Sequence, residues 1–149
     1  MHVGLELFDS EAAIRLRAAG RVEHARRTGV RSTSAADADD RHVLVNLVAR
    51  DATGAAVGCG ALIPAGEGVV ELHRFFIAAD ARTTTAGSAL LAAIDEHAHR
   101  LHAPAVVYET SPQLTDTILM LQQHGYTQIT PWRPPNDRMA TVAYALELP

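Results

Sequence analysis

The apolar and polar positions at the start of the chain predict a short strand followed by a long amphipathic helix. Residues 3–8 alternate between apolar and polar side chains, which is the period of a strand. Asp9 or Ser10 can cap the helix that follows, and Gly29 is typical of a helix C-terminus. Apolar residues recur at helical spacing between the arginines of this helix: Ile14, Ala18, Val22 and Ala25. Residues 30–40 have no apolar period and predict a connecting loop.

Short apolar runs separated by turn residues predict the remaining elements. Strands are expected at 43–50 and 55–63, paired as a hairpin around the turn at 51–54, and at 69–77. The later elements are a helix over 88–101, a strand at 105–109, a helix over 115–123 and strands at 127–130 and 141–148. This order predicts a single α/β (mixed α+β) domain, residues 1–149, with one central sheet.

Composition and charge narrow the class of protein. The 149 residues are 48% hydrophobic and 20% charged, which is typical of a globular domain. The net charge of -4 argues against a nucleic-acid partner. The N-terminus has neither a signal peptide pattern nor a membrane-spanning run, so we expect a cytoplasmic protein with no membrane partner. We interpret the clustered arginines of the first helix as a solvated surface: Arg15, Arg17, Arg21, Arg26 and Arg27.

The single cysteine, Cys59, lies in an apolar run predicted to be a strand. No internal disulfide is possible with one cysteine. A buried structural thiol is the expected role, because an apolar surrounding disfavours the reactive thiolate.

Residues 79–91 form a polar turn, rich in small residues, between a predicted strand and a predicted helix. The free N–H groups and the dipole at a helix N-terminus favour an anion such as phosphate. Arg82 can add a charge-assisted contact to it. The turn contains one glycine, Gly87, whereas phosphate-binding turns usually contain several.

The segment 70–82, Val-Glu-Leu-His-Arg-Phe-Phe-Ile-Ala-Ala-Asp-Ala-Arg, resembles the fourth strand and following loop of the GCN5-related N-acetyltransferase (GNAT) superfamily. Many members have Glu-Leu-Lys-Arg-Met-Tyr-Val-Arg-Pro-Glu-Ala-Arg there. Residues 57–62, Glu109-Thr110 and Gly125-Tyr126 are also similar, so the resemblance covers about residues 42–132. It implies a mostly antiparallel sheet of six to seven strands flanked by helices, in which the fourth and fifth strands splay apart.

The resemblance also implies a co-substrate, acetyl-CoA, bound in the opening between those strands. Its pantetheine arm would pair with the fourth-strand backbone at Phe75, Phe76 and Ile77. Its pyrophosphate would bind at the turn and helix start, residues Arg82, Thr83, Thr84, Thr85, Ala86, Gly87 and Ser88. No metal is implied, and we interpret the three histidines at 97, 99 and 102 as a solvated helix face.

Three positions depart from the family pattern. Thr85 occupies the place of the first signature glycine, and hydroxyls of Thr83, Thr84, Thr85 and Ser88 could donate hydrogen bonds to phosphate instead. Leu121 stands where many members have the tyrosine that protonates the leaving thiolate. Leu114 stands where an Asn or Gln often opens the helix.

Glu71 is the candidate general base, because its register matches a cleft-facing position of the family. The alternative is an exposed strand glutamate. His73 shares the strand face of Glu71 and could assist, although a surface histidine is the favoured interpretation. Tyr108, His124 and Tyr126 are the candidate replacements for the missing acid.

Two hypotheses follow for the function. The first is an N-acetyltransferase that transfers acetyl from acetyl-CoA to a primary amine of a small molecule or peptide, by direct attack in a ternary complex. The second, which the departures motivate, is a GNAT-fold protein that binds acyl-CoA without turnover. Residues 10–40 and 130–140 would form the acceptor wall, and the arginines in the first helix fit an acidic acceptor or a solvated face equally well. A homodimer is possible.

Overall fold

The computed structural model describes residues 1–29, 42–132 and 141–149, so the loop predicted at 30–40 lies outside the described residues. The described residues form seven strands and three α-helices, with a short 3-10 turn at Ala79–Ala81 before the second helix. The elements are β1 (His2–Leu5), α1 (Glu11–Thr28), β2 (Val45–Arg50), β3 (Ala56–Gly66), β4 (Val69–Ile77), α2 (Ala86–Arg100), β5 (Ala105–Thr110), α3 (Thr115–Gln123), β6 (Thr127–Ile129) and β7 (Val142–Glu147).

The strands form one open sheet in the order β1-β2-β3-β4-β5-β7-β6. All neighbouring pairs are antiparallel except β4 and β5, which run parallel because α2 carries the chain from one strand to the next. This topology confirms the predicted mixed fold with a single, mostly antiparallel sheet.

Local sequence signals set the helix ends. Ser10 caps α1 by accepting a hydrogen bond from the N–H of Ala13 at 3.2 Å, and Gly29 ends it in the left-handed region with φ of 75°. Gly125, with φ of 107°, follows α3 in the same way. None of the helices in the described ranges is both long and apolar enough to cross a membrane.

The main core lies between the sheet and α2. Leu90, Leu91 and Ile94 of that helix are fully buried against the sheet. A smaller cluster on the opposite face joins α1 to β2 and β3, and Cys59 belongs to it at 2% exposure. The Cys59 thiol donates to the carbonyl of Arg74 at 3.4 Å, which confirms a buried structural cysteine.

Helix α1 is buried on a different face from the one that its apolar spacing predicts. Ile14 and Val22 are 46% and 71% exposed, whereas Ala13 and Leu16 pack on the sheet. Arg17, at 5% exposure, also faces inward. The interpretation of the arginine cluster as a solvated surface is therefore wrong for Arg17, Arg21 and Arg27, which line a cavity beneath the helix. It holds for Arg15 and Arg26, which are exposed.

Candidate active site

Strands β4 and β5 pair over a short stretch and then separate. Their parallel register joins Val70 to Val106 and Glu71 to Val107. Beyond Glu71, β4 remains paired to β3 and β5 remains paired to β7. The edge of β4 that faces β5 is therefore open over its second half, Phe75 to Ile77. This separation is the splay that the resemblance implied.

A β-bulge reshapes β4 at the point where the strands part. Three residues of β3, Cys59 to Ala61, lie opposite four residues of β4, His73 to Phe76. Arg74 adopts a left-handed φ of 54° in this bulge, which costs a non-glycine residue about 1–2 kcal/mol. Backbone strain of this kind is concentrated at functional sites.

The bulge changes which side chains of β4 share a face. A Cβ on Gly60 would lie 3.4 Å from Leu72 and 3.6 Å from Phe75, on the side of α2. A Cβ on Gly20 would lie 3.3 Å from Phe76, on the side of α1. Leu72 and Phe75 therefore face one helix although they are three residues apart in a strand, and Phe76 faces the other.

A cavity of about 360 Å³ fills the opening between the strands. Residues 71–77 of β4 line this cavity. Residues 108–110 of β5 and the next residue, 111, line it from the other side. Helix α1 closes one side with Gly20 and several charged residues, and Leu114 and α3 close another. The cavity thus contains Glu71, Phe75, Phe76, Ile77 and Arg82 of the predicted site.

The predicted phosphate turn lies next to this cavity, at the start of α2. The Thr84 hydroxyl donates to the carbonyl of Ala81 at 2.5 Å and accepts from the N–H of Ala86 at 3.2 Å. The Ser88 hydroxyl donates to the carbonyl of Thr85 at 3.1 Å. These two hydroxyls thus already bind the backbone, which leaves Thr83 and Thr85, both exposed, as the hydroxyls with the best access to an anion.

The threonine that replaces the first signature glycine does not strain the turn. Thr85 has φ of −79° and ψ of 3°, a conformation open to any residue. A Cβ on Gly87 would collide with the sulfur of Met120 in α3, so the end of the Met120 side chain would have to move aside. The one glycine in this turn therefore provides space for Met120.

Arg82 is held by groups from three directions. Its Nε donates to the carbonyl of Ile77 at 2.9 Å, and its guanidinium pairs with the carboxylate of Glu23 in α1. Asp116 of α3 lies 3.8 Å away and also pairs with Arg27 at 2.9 Å. The hydrogen bond to Glu23 is the main cause that raises the pKa of Arg82, and a fixed positive charge therefore stands beside the phosphate turn.

Glu71 lies inside the cavity with 3% of its surface exposed. The alternative of an exposed strand glutamate is therefore wrong. His73, two residues along β4, also lines the cavity and is half-buried. Both residues thus line the space that a ligand would occupy, where a carboxylate can accept a proton from an amine.

Of the three candidate acids, Tyr108 is the one that belongs to the lining of the cavity. Burial raises its pKa to about 12, so the phenol keeps its proton at neutral pH. His124 instead lies 2.6 Å from Asp95 of α2, and Tyr126 is buried in the core with its pKa raised by desolvation. Leu121 is fully buried in the same core.

The candidate residues missed from the sequence are mainly basic. The Arg17 guanidinium stacks on the ring of Phe8, with Cζ 3.7 Å from the ring centroid. His24, also in the cavity, has its pKa lowered by burial and then by Arg74 and Arg27. Arg17, Gly20 and His24 are spaced by three and four residues, which places them on one side of α1. This spacing was the sequence signal that they face the cavity together.

No group of three or more histidine, cysteine, aspartate or glutamate side chains in residues 1–29, 42–132 and 141–149 could hold a metal ion. His97 is half-buried, and His99 and His102 are exposed. The cavity is thus lined by carboxylates, guanidiniums, two imidazoles, one phenol and an open strand edge.

Solved structures share this fold over nearly the whole chain. A candidate acyl-CoA N-acyltransferase from Klebsiella pneumoniae subsp. pneumoniae MGH 78578 is 23% identical, with 99% of this chain and 97% of that chain covered and a TM-score of 0.82. A GNAT family acetyltransferase from Elizabethkingia anophelis, solved with acetyl-CoA bound, is 14% identical, with 99% and 97% covered and a TM-score of 0.74. The ribosomal-protein-S18-alanine N-acetyltransferase of Escherichia coli is 13% identical, with 98% and 92% covered and a TM-score of 0.68.

The sequence itself identifies the family. No functionally curated protein matches it. The profile of the acetyltransferase (GNAT) family, however, matches residues 11–126, which include α1, the splayed strands, the phosphate turn and α3. The chain therefore belongs to the GNAT acetyltransferase family.

Proposed function

We propose that this protein is an N-acetyltransferase that transfers an acetyl group from acetyl-CoA to a primary amine by direct attack in a ternary complex. The observation that carries the proposal is the parting of β4 from β5 beyond Glu71, which opens the cavity in a chain of the GNAT family. The acceptor is a small molecule or a peptide.

The open edge of β4 is where the pantetheine arm would bind. The backbone of Phe75, Phe76 and Ile77 can supply hydrogen bonds on the side that β5 leaves free. The pyrophosphate would then reach the first turn of α2, where backbone N–H groups have no carbonyl of the same helix to bind. One of these N–H groups, on Ala86, already donates to the hydroxyl of Thr84. The residues predicted to bind acetyl-CoA lie along this path: the three β4 residues, Arg82 and residues 83–88.

The chemistry requires one proton to leave the amine and one to reach the sulfur. Glu71 would accept the proton of the attacking amine, directly or through water. The amine nitrogen then forms a bond to the thioester carbon, and a backbone N–H of β4 would stabilise the oxyanion. When the carbon–sulfur bond breaks, Tyr108 would donate its phenolic proton to the thiolate, because its phenol is protonated at neutral pH and lines the cavity.

Calorimetric titration with acetyl-CoA, followed by thiol release on a panel of amines, tests the proposal. We expect Glu71→Gln to lower kcat at least 100-fold and to leave the Kd of acetyl-CoA within about threefold. Glu67→Gln is the matched control, because Glu67 is exposed in the turn before β4. Tyr108→Phe should lower kcat, while Tyr126→Phe, which changes a phenol outside the cavity, should not. An unchanged rate for Glu71→Gln would remove its role as the base.

The second candidate function is acyl-CoA binding without turnover. The observation behind it is Leu121, which takes the family tyrosine position and is fully buried, so that it supplies no acid. Binding of acetyl-CoA with no thiol release on any amine would favour this function. Failure to bind acetyl-CoA at all would reject both.

A further inference from the structure

Thr110 lies beside the candidate acid Tyr108 on the cavity side of β5. The strand pairs with β7 without a register shift from Ala105 to Thr110, so residues two apart project from the same face. Both residues belong to the cavity lining, and they are only 8% (Tyr108) and 7% (Thr110) exposed. A hydroxyl buried this deeply needs a hydrogen-bond partner, and the phenol is the neighbouring polar group on its face of the strand.

The Thr110 hydroxyl forms a side-chain hydrogen bond with the phenol of Tyr108. Burial is the main cause that raises the pKa of Tyr108, and this hydrogen bond acts in the opposite direction. A hydrogen bond lowers the pKa of a phenol when it favours the phenolate, so the threonine hydroxyl is the donor and the phenolic oxygen the acceptor. The hydrogen of the phenol itself is then not used by Thr110 and can be donated to another group.

Phe75 holds the ring of Tyr108 from the other side of the opening. The two rings meet edge to face, with centroids 6.2 Å apart and an angle of 74° between their planes. Phe75 belongs to the open edge of β4, where the pantetheine arm would bind. The phenol is therefore held at its ring by β4 and at its oxygen by β5, next to the path of the thioester.

Resting on the proposed function, we infer that Thr110 is a positioning residue for Tyr108, whose hydroxyl directs the phenolic hydrogen to the leaving sulfur and stabilises the phenolate that remains. When the carbon–sulfur bond breaks, its electron pair goes to sulfur and the phenolic proton moves to the same atom. The negative charge is left on the Tyr108 oxygen. The hydrogen bond from Thr110 then becomes charge-assisted and therefore stronger, so it favours proton donation.

Two substitutions at one position separate the hydroxyl from the shape of the side chain. Thr110→Val removes the hydroxyl and keeps a β-branched side chain of similar shape, which suits a strand. We expect it to lower kcat about tenfold and to leave the Kd of acetyl-CoA within about threefold. Thr110→Ser keeps the hydroxyl and should hold kcat within about threefold of the parent. Thr127→Val, at an exposed position of β6 outside the cavity lining, is the control.

A double variant tests whether Thr110 acts through the phenol. In the Tyr108→Phe background there is no phenolic oxygen to accept the hydrogen bond, so Thr110→Val should cause no further loss of kcat. A purely structural role for Thr110 predicts the same loss in both backgrounds. An equal loss would therefore overturn the inference, and thermal melts verify that each variant folds.

Fluorine NMR separates failure of this inference from failure of the proposed function, because it needs no turnover. Tyr126→Phe and Tyr144→Phe leave Tyr108 as the only one of the three tyrosines, and fluorotyrosine, a more acidic phenol, is incorporated there. The pKa of this phenol should rise by about 0.5–1 in Thr110→Val and stay unchanged in Thr110→Ser. This result supports the inference even where no thiol release is seen. An unchanged pKa in Thr110→Val would overturn it.

Discussion

The guanidinium of Arg82 binds the carboxylate of Glu23, and this pair joins the loop after β4 to helix α1. Asp116 completes the arrangement from α3 at 3.8 Å. Arg82 is the cation predicted for the cofactor pyrophosphate. A phosphate bound there would compete with two carboxylates for the same guanidinium, which would weaken acetyl-CoA binding.

Glu23→Gln should tighten acetyl-CoA binding. Removing the Glu23 charge frees Arg82 for phosphate and removes the repulsion between Glu23 and an anion. An ion pair that is partly exposed to solvent contributes about 1 kcal/mol, which corresponds to roughly fivefold in Kd. Calorimetry measures the change. Glu11→Gln, an exposed acid at the other end of α1, is the control and should have no effect. Weaker binding by Glu23→Gln would show that Glu23 orients Arg82 rather than competes for it.

The buried phenol of Tyr108 should make stability depend on pH in the alkaline range. Its pKa is about 12 in the folded protein and about 10 when unfolded. The free energy of unfolding is unaffected by this group below pH 10 and falls as the pH rises to 12, because the phenol loses its proton first in the unfolded state. Urea unfolding at pH 8 and pH 11 measures it, and Tyr108→Phe should reduce the loss between them. An identical loss in the variant would contradict the prediction.

Gly87→Ala should change the stability of the protein by about 1 kcal/mol or less, because the added Cβ meets the flexible end of the Met120 side chain, which can turn away, and alanine is favoured over glycine in a helix. Urea unfolding gives the change. Met120→Ala provides room for that atom, so the double variant should lose less stability than the two single changes add up to. Strict additivity would show that α2 and α3 do not meet at this point.

Thr85→Gly should leave the Kd of acetyl-CoA within about threefold, since Thr85 has an ordinary backbone conformation and its replacement relieves no strain. Titration of parent and variant with CoA tests this. Substantially tighter binding would show instead that the threonine side chain hinders the phosphate.

His124→Ala should lower stability and leave turnover unchanged. His124 lies 2.6 Å from Asp95, and its loss leaves a half-buried carboxylate without that partner, at a cost of about 1–2 kcal/mol. Thermal melts and thiol release on the same preparation provide both measurements. His99→Ala, an exposed histidine of α2, is the control. A fall in kcat without a fall in stability would make His124 the acid instead of Tyr108.

The sequence by itself determined the order of the elements and most of their ends. Period-two and period-3.6 patterns, the Ser10 cap and the glycines at 29 and 125 act over a few neighbouring residues, so they can be recognised without knowledge of the fold. The segment 70–82 also indicated the GNAT family, and the match of the family profile to residues 11–126 confirmed it.

The tertiary structure decided the features that depend on residues far apart in the chain. Apolar spacing indicated one inward face for α1, but the cavity beneath the helix requires another, with Arg17 inside and Val22 outside. The sequence offered Tyr108, His124 and Tyr126 as candidate acids, with Tyr126 favoured as a core residue. Only the position of β5 brings Tyr108 to the cavity, while Asp95 of α2 holds His124. Packing and ion pairing depend on partners that lie far away in the sequence, so no local pattern could predict the inward face of α1 or the candidate acid.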